Sequence, residues 1–141
     1  MTTTLTGALI GYLAALEPTA GVYRDRAPEL APGASPVTVL VVQENVSTYE
    51  EHPSDVGAAG REVYVAEEVQ IDLYQPHHDA STRAIAEDDL PDRMHRHLAR
   101  AVLTTATPRV YRFRVLTASR TPDLDANVVR TTYRCRVHRA L

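Results

Sequence analysis

Six histidines, one cysteine and 15 arginines are the residues of this 141-residue chain with distinctive chemistry to offer. The histidines gather as His77-His78-Asp79 and as His95 and His97. Adjacent residues on an extended chain point apart, and residues two apart on a helix do not share a face. A zinc site needs converging ligands, so these histidines read as solvated and no metal is expected. The lone Cys135 excludes an internal disulfide and a cysteine-built zinc site. It falls on an apolar strand face, where a thiol is ordinarily inert packing. There is no G-x-S-x-G elbow, no G-x-x-x-x-G-K loop and no H-E-x-x-H. Lysine is absent altogether, which removes Schiff-base chemistry and lysine-dependent phosphate loops. No catalytic, cofactor-binding or metal-binding residue is expected, and the chain does not read as an enzyme.

What remains is charge. The net −3 conceals a division: residues 1–79 carry 3 Arg against 12 acids, or −9, and residues 80–141 carry 12 Arg against 6 acids, or +6. The exclusive use of arginine is what the codon usage of a GC-rich genome produces. The division is a statement about geometry, and its meaning depends on the elements that carry it.

Leu5, Leu9, Leu13 and Leu16 recur at helical spacing between Thr4 and Glu17, with Thr2 to Thr4 available as cap and Pro18 as stop. Gly21 to Arg24 suits a short strand. Val37 to Val46 is β-branched and almost continuously apolar, the pattern of a buried strand. Ser47 to Gly60 mixes Pro53, Gly57 and Gly60 with acids and reads as a long loop or mobile arm, marked by Glu50, Glu51, Asp55, Gly57 and Gly60. Glu62 to Tyr74 alternates, with Val63, Val65, Val69, Ile71 and Leu73 on one face and Glu62, Tyr64, Glu68, Gln70, Asp72 and Tyr74 on the other; Pro76 should end it. Leu90 to Leu103 predicts a helix with Pro91 in its first turn and a stripe of Leu90, Met94, Leu98, Ala101 and Val102. Whether residues 80–87 join that helix is open. Arg109 to Leu116 and Asn127 to Arg139 predict two antiparallel strands around a turn at Arg120 to Asp125. The result is an α+β fold of order α-β-β-β-α-β-β. It is one domain, with a single antiparallel or mixed sheet and two main helices on one face.

The elements sort the charges. Tyr111, Phe113, Tyr133, Cys135 and Val137 point inward, leaving Arg112, Arg114, Arg130, Arg134 and Arg136 outward, while Glu68 and Asp72 lie outward on their own strand. If the strands are neighbours, these charges pair across the sheet, each pair worth about 0.2–1 kcal/mol. Alternatively, so dense a face meets another subunit, since arginine binds carboxylates bidentately and is weakly hydrated. Nucleic-acid binding is a weaker reading, because the aromatics of the arginine strands, Tyr111, Phe113 and Tyr133, point inward and are not offered for base stacking.

The layout resembles the tail terminator (tail completion, or tail-to-head joining) proteins of long-tailed bacteriophages. The likeness runs from about residue 5 to 139. It rests on the opening helix, GVYRDRAPELAPGASPVTVLVV, the strand REVYVAEEVQIDLYQP, the second helix, the P-D-L-D turn and NVVRTTYRCRVHR. Pro91 at the second helix and the loop from Ser47 to Gly60 depart from the pattern. The resemblance implies a homo-oligomer, a hexameric ring that caps the tail tube, ends its polymerisation and offers a surface to the head-tail connector or stopper protein. Its partners would be the major tail tube protein and the connector, with genomic DNA passing the lumen unread. The site would be the virion's tail-to-head junction, after assembly in the host cytoplasm. It implies no cofactor and no membrane. A head-completion or stopper protein of the neck is the alternative. The N-terminal MTTTLTGALIGYLAALEP has no basic start and no cleavage site, so no signal peptide is expected.

Overall fold

The computed structural model describes residues 4–29, 37–43, 48–51, 64–79, 84–85, 88–106, 110–123 and 128–140. Its elements are α1 (Leu5–Leu16), β1 (Gly21–Arg24), β2 (Val39–Gln43), β3 (Thr48–Glu51), β4 (Tyr64–Asp79), β5 (Ala84–Ile85), α2 (Leu90–Ala99), β6 (Val102–Thr104), β7 (Val110–Asp123) and β8 (Val128–Ala140). The expected α+β architecture and its order of main elements hold, with β3, β5 and β6 added as short strands. The sheet runs β1-β2-β4-β8-β7-β6, with β3 and β5 also pairing with β4. Among the described residues, β1–β2 is the one parallel pair.

Helix α1 starts where Thr4 Oγ1 accepts the Gly7 N–H at 3.1 Å, and it buries Leu5, Leu9 and Leu13. Helix α2 carries Pro91 in its first turn, where no N–H is needed, and buries Leu90, Met94 and Leu98. Both helices cover the face formed by Leu40, Val42, Val69, Ile71, Leu73, Tyr133, Cys135 and Val137. Each fully buried large apolar side chain contributes about 1.5–3 kcal/mol. Two tyrosines add direction. Tyr133 Oη donates to the Pro91 carbonyl at 2.6 Å, and Tyr12 Oη donates to the His97 carbonyl at 2.8 Å. His95 stacks edge-on to Tyr133, with ring centroids 6.4 Å apart.

Three boundaries differ from expectation. The second helix stops at Ala99 instead of Leu103, because from Ala101 burial alternates residue by residue and Val102–Thr104 pairs with β7 as β6. Ala101 and Val102 fit a helical stripe only by coincidence of spacing; Ala101 O in fact accepts the Phe113 N–H at 3.3 Å. Strand β4 passes through Pro76 to Asp79. The β2 ladder has already ended at Tyr74, so that flank asks nothing of the missing proline N–H. Strand β7 also runs past Leu116 to Asp123, so Arg120 to Asp123 are ladder residues, and residues 124–127 lie outside the described ones.

The extension of β7 contains a bulge between Val115 and Thr117. One extra residue, Leu116, reverses the strand's alternation. Before it, Phe113 and Val115 lie opposite the inward Val137 and Cys135. After it, Ala118 and Arg120 take the helix side, opposite Tyr133 and Thr131. Arg120 thereby reaches the start of α2, with Nη2 3.8 Å from Asp88 Oδ1.

Candidate functional site

The strand order converts the charge division of the sequence into a division in space. Strands β1 to β4 come from the acidic half and form one side of the sheet, while β6 to β8 come from the basic half and form the other. The seam lies between β4 and β8, which pair from Tyr64↔Ala140 to Pro76↔Val128. This register puts Glu68 opposite Arg136, Gln70 opposite Arg134, Asp72 opposite Thr132 and Tyr74 opposite Arg130, all on the face away from the helices.

Glu68 is shared: Arg134 Nη2 lies 3.0 Å from its Oε2 and Arg136 Nη2 lies 3.9 Å from its Oε1. Arg134 is well exposed, and such a pair contributes at most about 1 kcal/mol. Asp72 sits on the outer face yet is 0% exposed. It accepts from Thr132 Oγ1 at 2.7 Å, Arg130 Nε at 3.1 Å, and the Gln70 and Gln43 amides at 3.1 and 3.3 Å. Burial alone would raise its pKa; the hydrogen bonds from Thr132, Arg130 and Gln70 together outweigh it and hold the carboxyl below its ordinary value. Arg130 also lies over the Tyr74 ring, 5.7 Å from its centroid. Asp72 is therefore a fastening within the sheet, with no face left for a partner.

Arg112 and Arg114, the other two arginines of the predicted face, are exposed on β7 and make no hydrogen bond or ion pair with any described residue. Arg112 lies opposite His138 and Arg114 opposite Arg136. Of the predicted arm, Glu50 and Glu51 belong to β3, which pairs antiparallel with β4 from Thr48↔Glu67 to Glu51↔Tyr64. Asp55, Gly57 and Gly60 lie outside the described residues. Residues 84–85 pair with β4 as β5, and the rest of the open stretch 80–87 also lies outside them.

One cluster escaped the sequence reading. Glu17, just past the end of α1, is gripped by α2. Arg93 Nε lies 2.6 Å from its Oε1 and Nη2 lies 3.1 Å from Oε2, and His97 Nε2 lies 3.1 Å from Oε1. The Arg93 hydrogen bond pulls the Glu17 pKa down against its burial, with help from His97. The available hint was that Arg93 and His97 stand four apart on one helix face. His97 is thus a structural partner of Glu17 rather than a solvated residue. Cys135 is 0% exposed, and burial pushes its thiol up to about 12, in keeping with inert packing.

Among the described residues no three His, Cys, Asp or Glu side chains gather where they could hold a metal ion. No described helix is long and apolar enough to cross a membrane. An open cleft of about 290 Å³ lies on the outer face beside β2, lined largely by Val37, Val39, Val41, Tyr74, Pro28 and Val128. Its lining is mostly apolar.

No protein family model and no curated protein matches this chain. Among solved structures, a chain from the virion of a native gene transfer agent (GTA) particle is similar in fold. The TM-score is 0.61 at 17% sequence identity, over 97% of this chain and 95% of that one. The likeness spans both helices and the sheet together, so the arrangement as a whole is one found in a virion chain.

Proposed function

We propose that this chain is a structural virion protein of the tail-terminator type, a ring that caps a phage-type tail tube, stops its growth and presents a docking surface to the head connector. The observation that carries the reading is the end-to-end fold likeness to a chain of a GTA virion, which covers 97% of this chain. The resemblance of its element order and strand patterns to tail terminators narrows it. Such a protein works by surface complementarity, not by chemistry, which suits a sheet whose charged side chains are arranged as pairs and edges rather than around a pocket.

A ring is built from a head-to-tail interface that closes, so one edge of a subunit must fit the opposite edge of the next. The side of the sheet built from residues 1–79, which carry −9, and the side built from residues 80–141, which carry +6, are suited to that role. The pairs Glu68–Arg134, Glu68–Arg136 and Asp72–Arg130 stabilise each subunit internally. The predicted arm of about residues 47–61 is proposed only for its part beyond β3, about residues 52–61, as a segment that a neighbour orders. The ring's position is the tail-to-head junction, with the tube protein on one side, the connector or stopper on the other, and the genome passing through its lumen without sequence-specific contact.

The test is deletion of the gene from the particle's genome, followed by electron microscopy of lysates. Overlong tubes together with unattached heads are expected. Tails of normal length with unattached heads would overturn the capping role and make the chain a neck component instead.

A further inference from the structure

The face of the sheet away from the helices changes its composition at β8. Between Arg112 and Thr121 on β7, and between Arg130 and His138 on β8, ten ladder positions point to that face. They hold five arginines, four hydroxyl residues and one histidine, with no acid and no apolar residue among them. The bulge makes this so. Unbroken alternation from Arg112 and Arg114 would carry Leu116, Ala118 and Arg120 outward. The extra residue instead puts Thr117, Ser119 and Thr121 there, opposite Arg134, Thr132 and Arg130. Leu116 itself has no ladder partner, and Val102 and Val110 border the surface on its β6 side.

The neighbouring strand β4 sets two described carboxylates on the same face, Glu68 and Asp72. Five arginines against two carboxylates leave a surplus of three positive charges. Asp72 is buried beneath its partners, and Glu68 is shared by Arg134 and Arg136. Arg112 and Arg114 have no described partner, and Arg114 lies directly opposite Arg136, a like-charge contact that costs stability in a sheet on its own. We propose that this β7–β8 face holds the phosphate backbone of duplex DNA without reading its sequence. Arginine, threonine and serine are side chains that contact phosphate, and a duplex offers one negative charge per about 1.7 Å of its axis. The outward row from Arg130 to His138 extends for about 26 Å at the rise of a strand. Two strands without an outward aromatic lack the stacking platform that single strands need. A protein interface would set apolar residues among the arginines, and here hydroxyls stand between them. The setting rests on the ring reading above, in which this face turns to the lumen that the genome passes; the binding itself is measurable without it.

The experiment titrates the full-length chain into a fluorescently labelled 30-base-pair duplex, reads anisotropy from 50 to 200 mM salt, and follows assembly in the same samples by native mass spectrometry. Binding near micromolar at 50 mM salt, equal for two unrelated sequences and falling steeply with salt, is expected. Arg112→Gln with Arg114→Gln should weaken it at least tenfold and reduce the slope of log affinity against log salt by about 2. Glu68→Gln removes the carboxylate that occupies Arg134 and Arg136 and should tighten binding about threefold, an effect that damage to the fold would not produce. Arg96→Gln with Arg100→Gln, exposed on the helix side, should leave binding unchanged. Equal weakening by that pair would overturn the assignment to this face. Tighter binding of a single strand, or of polyglutamate, would overturn the duplex as its occupant. Rings that bind no duplex at 50 mM salt would overturn this inference and leave the ring reading standing. Duplex binding with these variant effects by a chain that never assembles, alone or on tube ends, would uphold the face and overturn the ring.

Discussion

Replacing Arg93 by alanine should be markedly more damaging than neutralising the carboxylate it holds. Glu17 has a side chain only 8% exposed, and Arg93 grips both its oxygens, while Arg93 itself is 29% exposed. Removing one partner of a fully buried ion pair costs about 3–5 kcal/mol, and of an exposed pair less than about 1. With solvent reaching part of Arg93, about 2–3 kcal/mol is expected for Arg93→Ala, which for a chain of this size lowers Tm by about 6–10 °C. Glu17→Gln should cost only about 1 kcal/mol, because Arg93 keeps Asp89 at 3.0 Å and its access to water. The pH dependence separates charge from packing. Glu17 is held below its ordinary pKa chiefly by the Arg93 hydrogen bond, so its contribution is fully present above the unfolded value near about 4.3 and is lost as pH falls through the lower native value. In Arg93→Ala that lowering is largely gone and burial works against the charged form. The difference between wild type and Arg93→Ala in urea unfolding should therefore be widest near pH 7 and shrink below about pH 4. A difference unchanged across that range, or a larger cost for Glu17→Gln than for Arg93→Ala, would refute the reasoning.

Leu9→Ala removes a side chain with 0% exposure from the contact of α1 with the sheet, and a loss of about 3 kcal/mol in chemical unfolding is expected. Asp72→Ala withdraws the shared acceptor of Thr132, Arg130, Gln70 and Gln43, and should cost about 2 kcal/mol by the same assay. Arg134→Gln, at a well-exposed position, should change stability by less than about 0.5 kcal/mol in the same assay.

The faces of the sheet were legible because strand periodicity is two: Val69, Ile71 and Leu73, and Tyr133, Cys135 and Val137, are all buried on the side their alternation predicts. The spacing of Leu5, Leu9, Leu13 and Leu16 was equally sufficient for α1, although Leu16, its last residue, is exposed instead of buried with the other three. The ends of elements were harder, for reasons that are tertiary. Whether Pro76 ends a strand depends on whether a neighbouring strand needs its N–H, and whether Val102 ends a helix depends on β7 lying ready to pair with it. The bulge at Leu116 leaves no trace in the apolar pattern of Tyr111, Phe113 and Val115 that precedes it. Within the site, the charged residues could be named from sequence, but register alone decided which of them were already paired: Arg130, Arg134 and Arg136 found acids in the same chain, and Arg112 and Arg114 did not among the described residues. Glu17 and Arg93 are 76 residues apart, and no local pattern relates them.

Cys135 stands at the middle of the sheet, between Val69 of β4 and Val115 of β7. It is the chain's sole thiol, and burial both shields it and suppresses its thiolate. A thiol-specific reagent can reach it only when these strands part, so its labelling rate under native conditions is a clock for the opening of the core. The same clock, read on the free chain and again in the proposed assembly, would measure in time units how firmly such an assembly holds the fold shut.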